Sequence, residues 1–172
     1  MTRPASAPAM ADLHRLLDDL VNEVPGTEVA VLLSTDGLPL AASREVSRDT
    51  GELVAAAAAG LHALAVVAGA KIHDGRTLRV IVEMEHVLLA IEPAGDSAVL
   101  AVAFSGAPDP ASVNGPVTAA AERAAKALAA VHAARRANLP AGESAPKPGR
   151  HARADDGPEP DASAGRHAFA AG

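Results

Sequence analysis

Between Leu53 and Ala70 the chain runs for eighteen residues without a formal charge, and any fold it adopts must cover that run. The length is about the minimum for crossing the hydrocarbon core of a bilayer. The run is mostly Ala and Gly, however, with His62 in its middle, and it has too few strongly apolar residues to drive insertion. Alanine is the best helix former. The segment from Arg48 to Ile72 is therefore expected to be one long helix, ended by His73-Asp74-Gly75 and buried in protein, not in lipid.

The elements around it are legible from spacing. Leu13, Leu16, Leu17, Leu20, Val21 and Val24 form a single apolar stripe on a helix, which Pro25-Gly26 stops. Val29 to Leu33 and Leu38 to Ala42 flank Thr35-Asp36-Gly37 and read as a hairpin. After the long helix come three strand-like runs: Thr77 to Met84, Val87 to Glu92 and Ala98 to Phe104. A last helix is expected from near Pro116 to Arg136, with Val117, Ala121, Ala124, Leu128 and Val131 facing inward. Strands such as Val29 to Leu33 and Val99 to Phe104 are apolar on both faces, as in a sheet covered by helices on both sides. The expected fold class is α/β: a three-layer unit with a five-stranded, mainly antiparallel sheet, in the order α-β-β-α-β-β-β-α. Residues 1–10 read as a flexible N-terminus, 11–136 as the folded domain, and 137–172 as a disordered Pro/Ala/Gly-rich tail without apolar periodicity.

Composition removes several functions. There is no Trp or Tyr and only two Phe, Phe104 and Phe169, so the core must be aliphatic and a base-stacking nucleic-acid platform is disfavoured. The net charge of −6 gives no basic face for phosphate backbones. Without Cys there are no disulfides, thiolate nucleophiles or sulfur-ligated metals. Met1 to Met10 lacks an apolar signal-peptide core, so a cytoplasmic location is expected, with any membrane association coming through partners.

No constellation of reactive groups emerges. Gly69-Ala70-Lys71 is the nearest approach to a phosphate-binding loop, but Ile72 stands where a hydroxyl is needed and the segment ends a helix instead of opening one. The seven His residues are dispersed and none has zinc-site spacing. His62 reads as a half-buried or interfacial histidine, not as a ligand. Asp18-Asp19 is expected to be solvated on the outer face of the first helix, and Glu83 and Glu85 to share the polar face of a strand. Neither pair has the separated environments that a hydrolase needs. The chain is therefore expected to be no enzyme and to need no metal or cofactor.

Interaction signals are clearer. If the Thr77 to Met84 strand lies at a sheet edge, its unpaired backbone is a liability that the same strand of a second copy would remove. Arg79 and Glu83 could then meet across the twofold axis, and Ile81→Arg would weaken the joint. Small residues from Ala55 to Gly60 would let two long helices approach closely.

The element order, with Val24-Pro25-Gly26 and the run Val29-Ala-Val-Leu-Leu-Ser-Thr-Asp-Gly-Leu-Pro-Leu-Ala41, resembles the roadblock / dynein light-chain family, in its bacterial, actinomycete (MglB-like) branch. The match covers about Leu13 to Arg136. The resemblance implies a profilin-like sheet with one long helix on one face and two on the other, and homodimers joined by third strands and long helices. It implies a small Ras-like GTPase as partner, stimulated without a catalytic group from the regulator, and possible association with a sensor-kinase-like protein. A passive scaffold is the alternative, and a small-molecule sensor a weaker one. By position only, the resemblance assigns the interface to Glu52, Val54, Ala55, Ala58, Leu61, His62, Ala65, Arg76, Arg79, Ile81 and Glu83.

Overall fold

The computed structural model describes residues 6–72, 75–106 and 108–137. Apart from Ala137, which ends the last helix, the expected tail therefore lies outside the described residues, as does the His73-Asp74 stop of the long helix. All eight expected elements are present: α1 (Ser6–Glu23), β1 (Thr27–Ser34), β2 (Pro39–Ala42), α2 (Arg48–Ile72), β3 (Val80–Glu83), β4 (Val87–Pro93), β5 (Ala98–Ser105) and α3 (Pro110–Ala137). The sheet is antiparallel throughout, in the order β2-β1-β5-β4-β3. With α1 and α3 on one face and α2 on the other, it is the three-layer α/β unit expected of a profilin-like arrangement.

Strand alternation explains the layers, because successive side chains leave a strand on opposite faces. From β5, Leu100, Val102 and Phe104 enter one core together with Leu32 of β1, Leu88 of β4, Leu13, Leu17 and Leu20 of α1, and Val117, Ala121 and Ala124 of α3. Their neighbours Val99, Ala101, Val31, Leu33 and Ile91 form a second core against Ala55 and Ala58 of α2. The first core holds the bulk and the second is thin.

Three boundaries differ from expectation. Helix α1 begins at Ser6, so residues 6–10, read as loose, are helical. Helix α3 begins at Pro110 and not near Pro116. Asp109 accounts for the earlier start: its carboxylate accepts a hydrogen bond from the amide of Ala111 at 3.0 Å, which leaves Pro110 at the first helical position, where a missing N–H costs nothing. Strand β3 spans Val80–Glu83 only, not Thr77 to Met84.

Candidate interaction surface

Helix α2 joins the domain by one narrow stripe. Only Gly51, Ala55 and Ala58 are buried, with Val54, Ala59 and Leu61 half-buried against the same core. The expectation of a buried helix is thus corrected within a single chain. Leu53, Leu64, Val66, Val67 and Ile72 are exposed, Leu53 and Leu64 at about 70 %. Among the described residues α2 is the one helix long and apolar enough to cross a membrane by length and composition. It instead lies across the sheet through its alanines.

The exposed positions are ordered. Leu53, Ala57, Gly60, Leu64 and Val67 follow one another at alternating steps of four and three, the spacing of a helix seam that receives another helix. Large residues stand at its ends and small ones in the middle. A Cβ added at Gly60 would meet nothing within 4 Å, so the middle of the seam is open to close approach.

The face assigned to the interface from sequence is turned away from this seam. Ala55 and Ala58 are fully buried against the chain's own sheet, and Val54, Leu61, His62 and Ala65 are half-buried beside them. A residue with no exposed surface cannot touch a partner, so Ala55 and Ala58 leave the candidate interface and Ala57, Gly60, Leu64 and Val67 enter it. Glu52 is exposed and pairs with Arg48 at 2.7 Å. The alternating spacing was visible in the sequence, but in an Ala-rich helix both stripes are apolar.

The two sheet edges differ as well. At the β2 edge, Pro39 has no N–H to offer, and Nδ1–H of His14 donates to the carbonyl of Ala42 at 2.9 Å. Among the described residues the β3 edge has no such cover. The amide of Met84 donates to the carbonyl of Val87 at 2.8 Å, so by alternation Ile81 and Glu83 point their backbone groups away from β4, to the open side. On the α2 face of this edge lie Val80 and Val82, flanked by exposed Leu78 and Met84. The domain thus carries two unsatisfied features, an apolar seam on α2 and an open edge at β3.

The assigned residues of this region divide. Glu83 and Arg76 are exposed. The Ile81 side chain packs on the chain's own larger core, so Ile81→Arg would disturb folding along with any joint. Glu83→Pro is the cleaner probe, because proline fits an edge strand and removes one outward N–H. The substitution is expected to leave the thermal melt nearly unchanged and to weaken self-association measurably by sedimentation equilibrium. Arg79, expected to meet Glu83 of a second copy, is engaged inside its own chain with Glu92 of β4 and Thr118 of α3.

His62 lines an open pocket of about 460 Å³ with Val66, Ala70, Arg76, Thr77 and Asp96. Its Nε2 is buried without a hydrogen-bond partner, and burial holds its pKa below the ordinary 6.5. The unfolded chain therefore takes up this proton at higher pH than the folded one. The stability from the neutral ring is full above 6.5 and declines as pH falls through the lower folded value. Replacing His62 by Leu is expected to flatten the pH dependence of unfolding between about pH 7 and 5 relative to wild type, in denaturant melts.

The carboxylate expectation is corrected at one position. Asp18 is half-buried and accepts the amide of Arg44 at 2.7 Å, tying α1 to the connection between β2 and α2. Among the described residues no His, Asp and Glu side chains cluster in a way that could hold a metal ion. The surface offers shape and apolarity without reactive chemistry.

A family model described as the Roadblock/LC7 domain matches residues 13–104, more than half of the 172-residue chain. The chain belongs to the Roadblock/LC7 domain family. A Roadblock/LC7 domain from Streptomyces avermitilis superposes with a TM-score of 0.64 at 32% identity, covering 67% of this chain and 97% of that one. MglB of Myxococcus xanthus superposes at 0.63 with 18% identity over 76% of this chain and 95% of its own. The gliding protein MglB of Thermus thermophilus gives 0.56, 22%, 76% and 93%. At those identities the two MglB proteins share the fold. No curated protein matches the chain. The Roadblock/LC7 match ends at Phe104, so α3 lies beyond it, although α3 closes the larger core.

Proposed function

We propose that this Roadblock/LC7 protein is a cytoplasmic homodimer that regulates a small Ras-like GTPase, stimulating its hydrolysis or holding its nucleotide state within a signalling complex. The observation that supports the reading best is the pair of unsatisfied features: an apolar helix seam and an uncapped strand edge. An isologous contact covers both at once, because pairing β3 with β3 about a twofold axis brings the two α2 helices side by side. The result is a rigid platform of two helices over a ten-stranded sheet, twice the five strands of one copy. Likeness to the Streptomyces domain and to the MglB proteins supports the same direction.

A platform without reactive side chains can still accelerate phosphoryl transfer by ordering the GTPase's own catalytic groups, since a bound partner shifts the population toward the competent conformation. The test is single-turnover GTP hydrolysis and nucleotide exchange by a cognate GTPase, with and without this protein. A change in either rate supports regulation. Binding with both rates unchanged selects a passive scaffold, and no binding removes the GTPase as partner.

A further inference from the structure

The edge that the dimer reading depends on is short, and a tight turn fixes only one of its ends. Strand β3 has four residues, Val80–Glu83, and a strand of that length with one neighbour is marginal by itself. Its C-terminal end is fixed by the tight connection into β4, where the amide of Met84 donates to Val87. Its N-terminal flank has little support. The segment entering β3 runs between two open pockets of about 460 Å³ each, one toward α2 with His62 and Val66, the other toward α3 with Thr118 and Glu122. Side chains do not fill either gap, so packing does not hold this flank.

Arg79 does. Continuing the β3–β4 register by one step sets Arg79 opposite Glu92, at a non-hydrogen-bonded position where facing side chains sit closest. The guanidinium donates to Glu92 through Nε, and Nη2 stands in ion-pair contact with the same oxygen. Nη2 also donates to the hydroxyl of Thr118 at 2.7 Å and to the carbonyl of Asn114 at 3.3 Å. The Thr118 hydroxyl in turn donates to Glu92 Oε1 at 3.1 Å. Glu92 is 4% exposed, and its Oε1 takes all three of its contacts with Arg79 and Thr118. An interaction so enclosed is strong when complete and costly when one member is missing.

We propose that Glu92 and Thr118, acting through Arg79, are positioning residues that hold the entry to β3 in the shape a second copy must pair with. The clamp sets the parity of the flank. With Arg79 turned toward α3, Leu78, Val80 and Val82 are turned toward the α2 face of the sheet. Without the clamp, the edge frays from the end that the turn does not hold, and the partner strand must order it on binding. That ordering cost weakens association. The inference rests on the dimer reading and adds the part of each copy that prepares its own edge.

The test uses the full chain and three variants. Thr118→Val keeps the shape and removes the bridging hydroxyl, Arg79→Met removes the guanidinium, and Thr118→Ser restores the hydroxyl. Sedimentation equilibrium gives the dimer dissociation constant, and hydrogen exchange reads the amides of β3 against those of the central β5. The expected result for Thr118→Val and Arg79→Met is a dissociation constant raised about tenfold, with faster exchange confined to the β3 edge and Thr118→Ser close to wild type. A dimer constant within about twofold of wild type for a folded Thr118→Val or Arg79→Met overturns the proposal, as does exchange that accelerates equally in β5. A wild-type chain that is monomeric at every concentration overturns the dimer reading itself, and this inference falls with it. A dimeric wild type with unaffected variants sinks only the clamp.

Discussion

Leu64→Lys is expected to give a folded monomer where the wild-type chain self-associates. Leu64 is 70% exposed in the single chain, so replacing it breaks no intramolecular contact of weight, and such surface changes usually stay within about 0.5 kcal/mol. In the twofold dimer the residue occurs twice in one seam. Losing the burial of two leucines there removes about 3–6 kcal/mol, which raises the dissociation constant by at least about a hundredfold. Gly60→Leu tests the same seam from the opposite direction. The added side chain has open space in the single chain, and removing a glycine from a helix interior adds about 1 kcal/mol of helix stability. That variant is therefore expected to melt no lower as a monomer while wedging two helices apart. Sedimentation equilibrium with circular-dichroism melts reads both variants. A wild-type-like dimer mass for Leu64→Lys would remove α2 from the interface.

Phe104→Ala is expected to cost the most stability of any single truncation in the chain. Phe104 is the largest fully buried side chain and lies on the central strand β5, paired with Leu88 of β4 on one side and Thr27 of β1 on the other. It fills the core shared with α1 and α3. Truncation removes its burial and leaves a cavity that small aliphatic neighbours cannot close, a loss of about 3–5 kcal/mol. For a domain stabilised by about 5–15 kcal/mol in total, that is a large share. Denaturant melts would show a lower midpoint with an unchanged slope. A midpoint shift worth under about 1 kcal/mol would mean that the core between sheet and α1/α3 is loosely packed and that β5 does not anchor it.

These two positions mark what was legible in one dimension. The identity and order of every element followed from local rules: the stripe Leu13 to Val24 has helical period, Asp36-Gly37 sits between two apolar runs, and Ala-rich chain from Arg48 to Ile72 has no strand alternative. Burial on both faces of β1 and β5 was visible as unbroken apolar runs, which require a layer on each side. Resemblance then supplied the topology that local rules leave open.

What the chain could not reveal in one dimension was which side of an element faces what. In α2, alanine occupies both stripes, so periodicity has no contrast. Only the docking of Ala55 and Ala58 on Val31, Leu33, Ile91 and Val99 leaves Leu53, Gly60 and Leu64 outside. The same holds for Arg79, expected from spacing to meet Glu83 of a second copy, which finds Glu92 and Thr118 through a register and a helix position set by residues far along the chain. Asp109 outranked Pro116 as the start of α3 because a cap works through a hydrogen bond to a particular amide. Element type is a local free energy that a short window of residues determines. Facing, register and pairing are differences between alternatives of nearly equal local energy, and contacts distant in sequence decide among them.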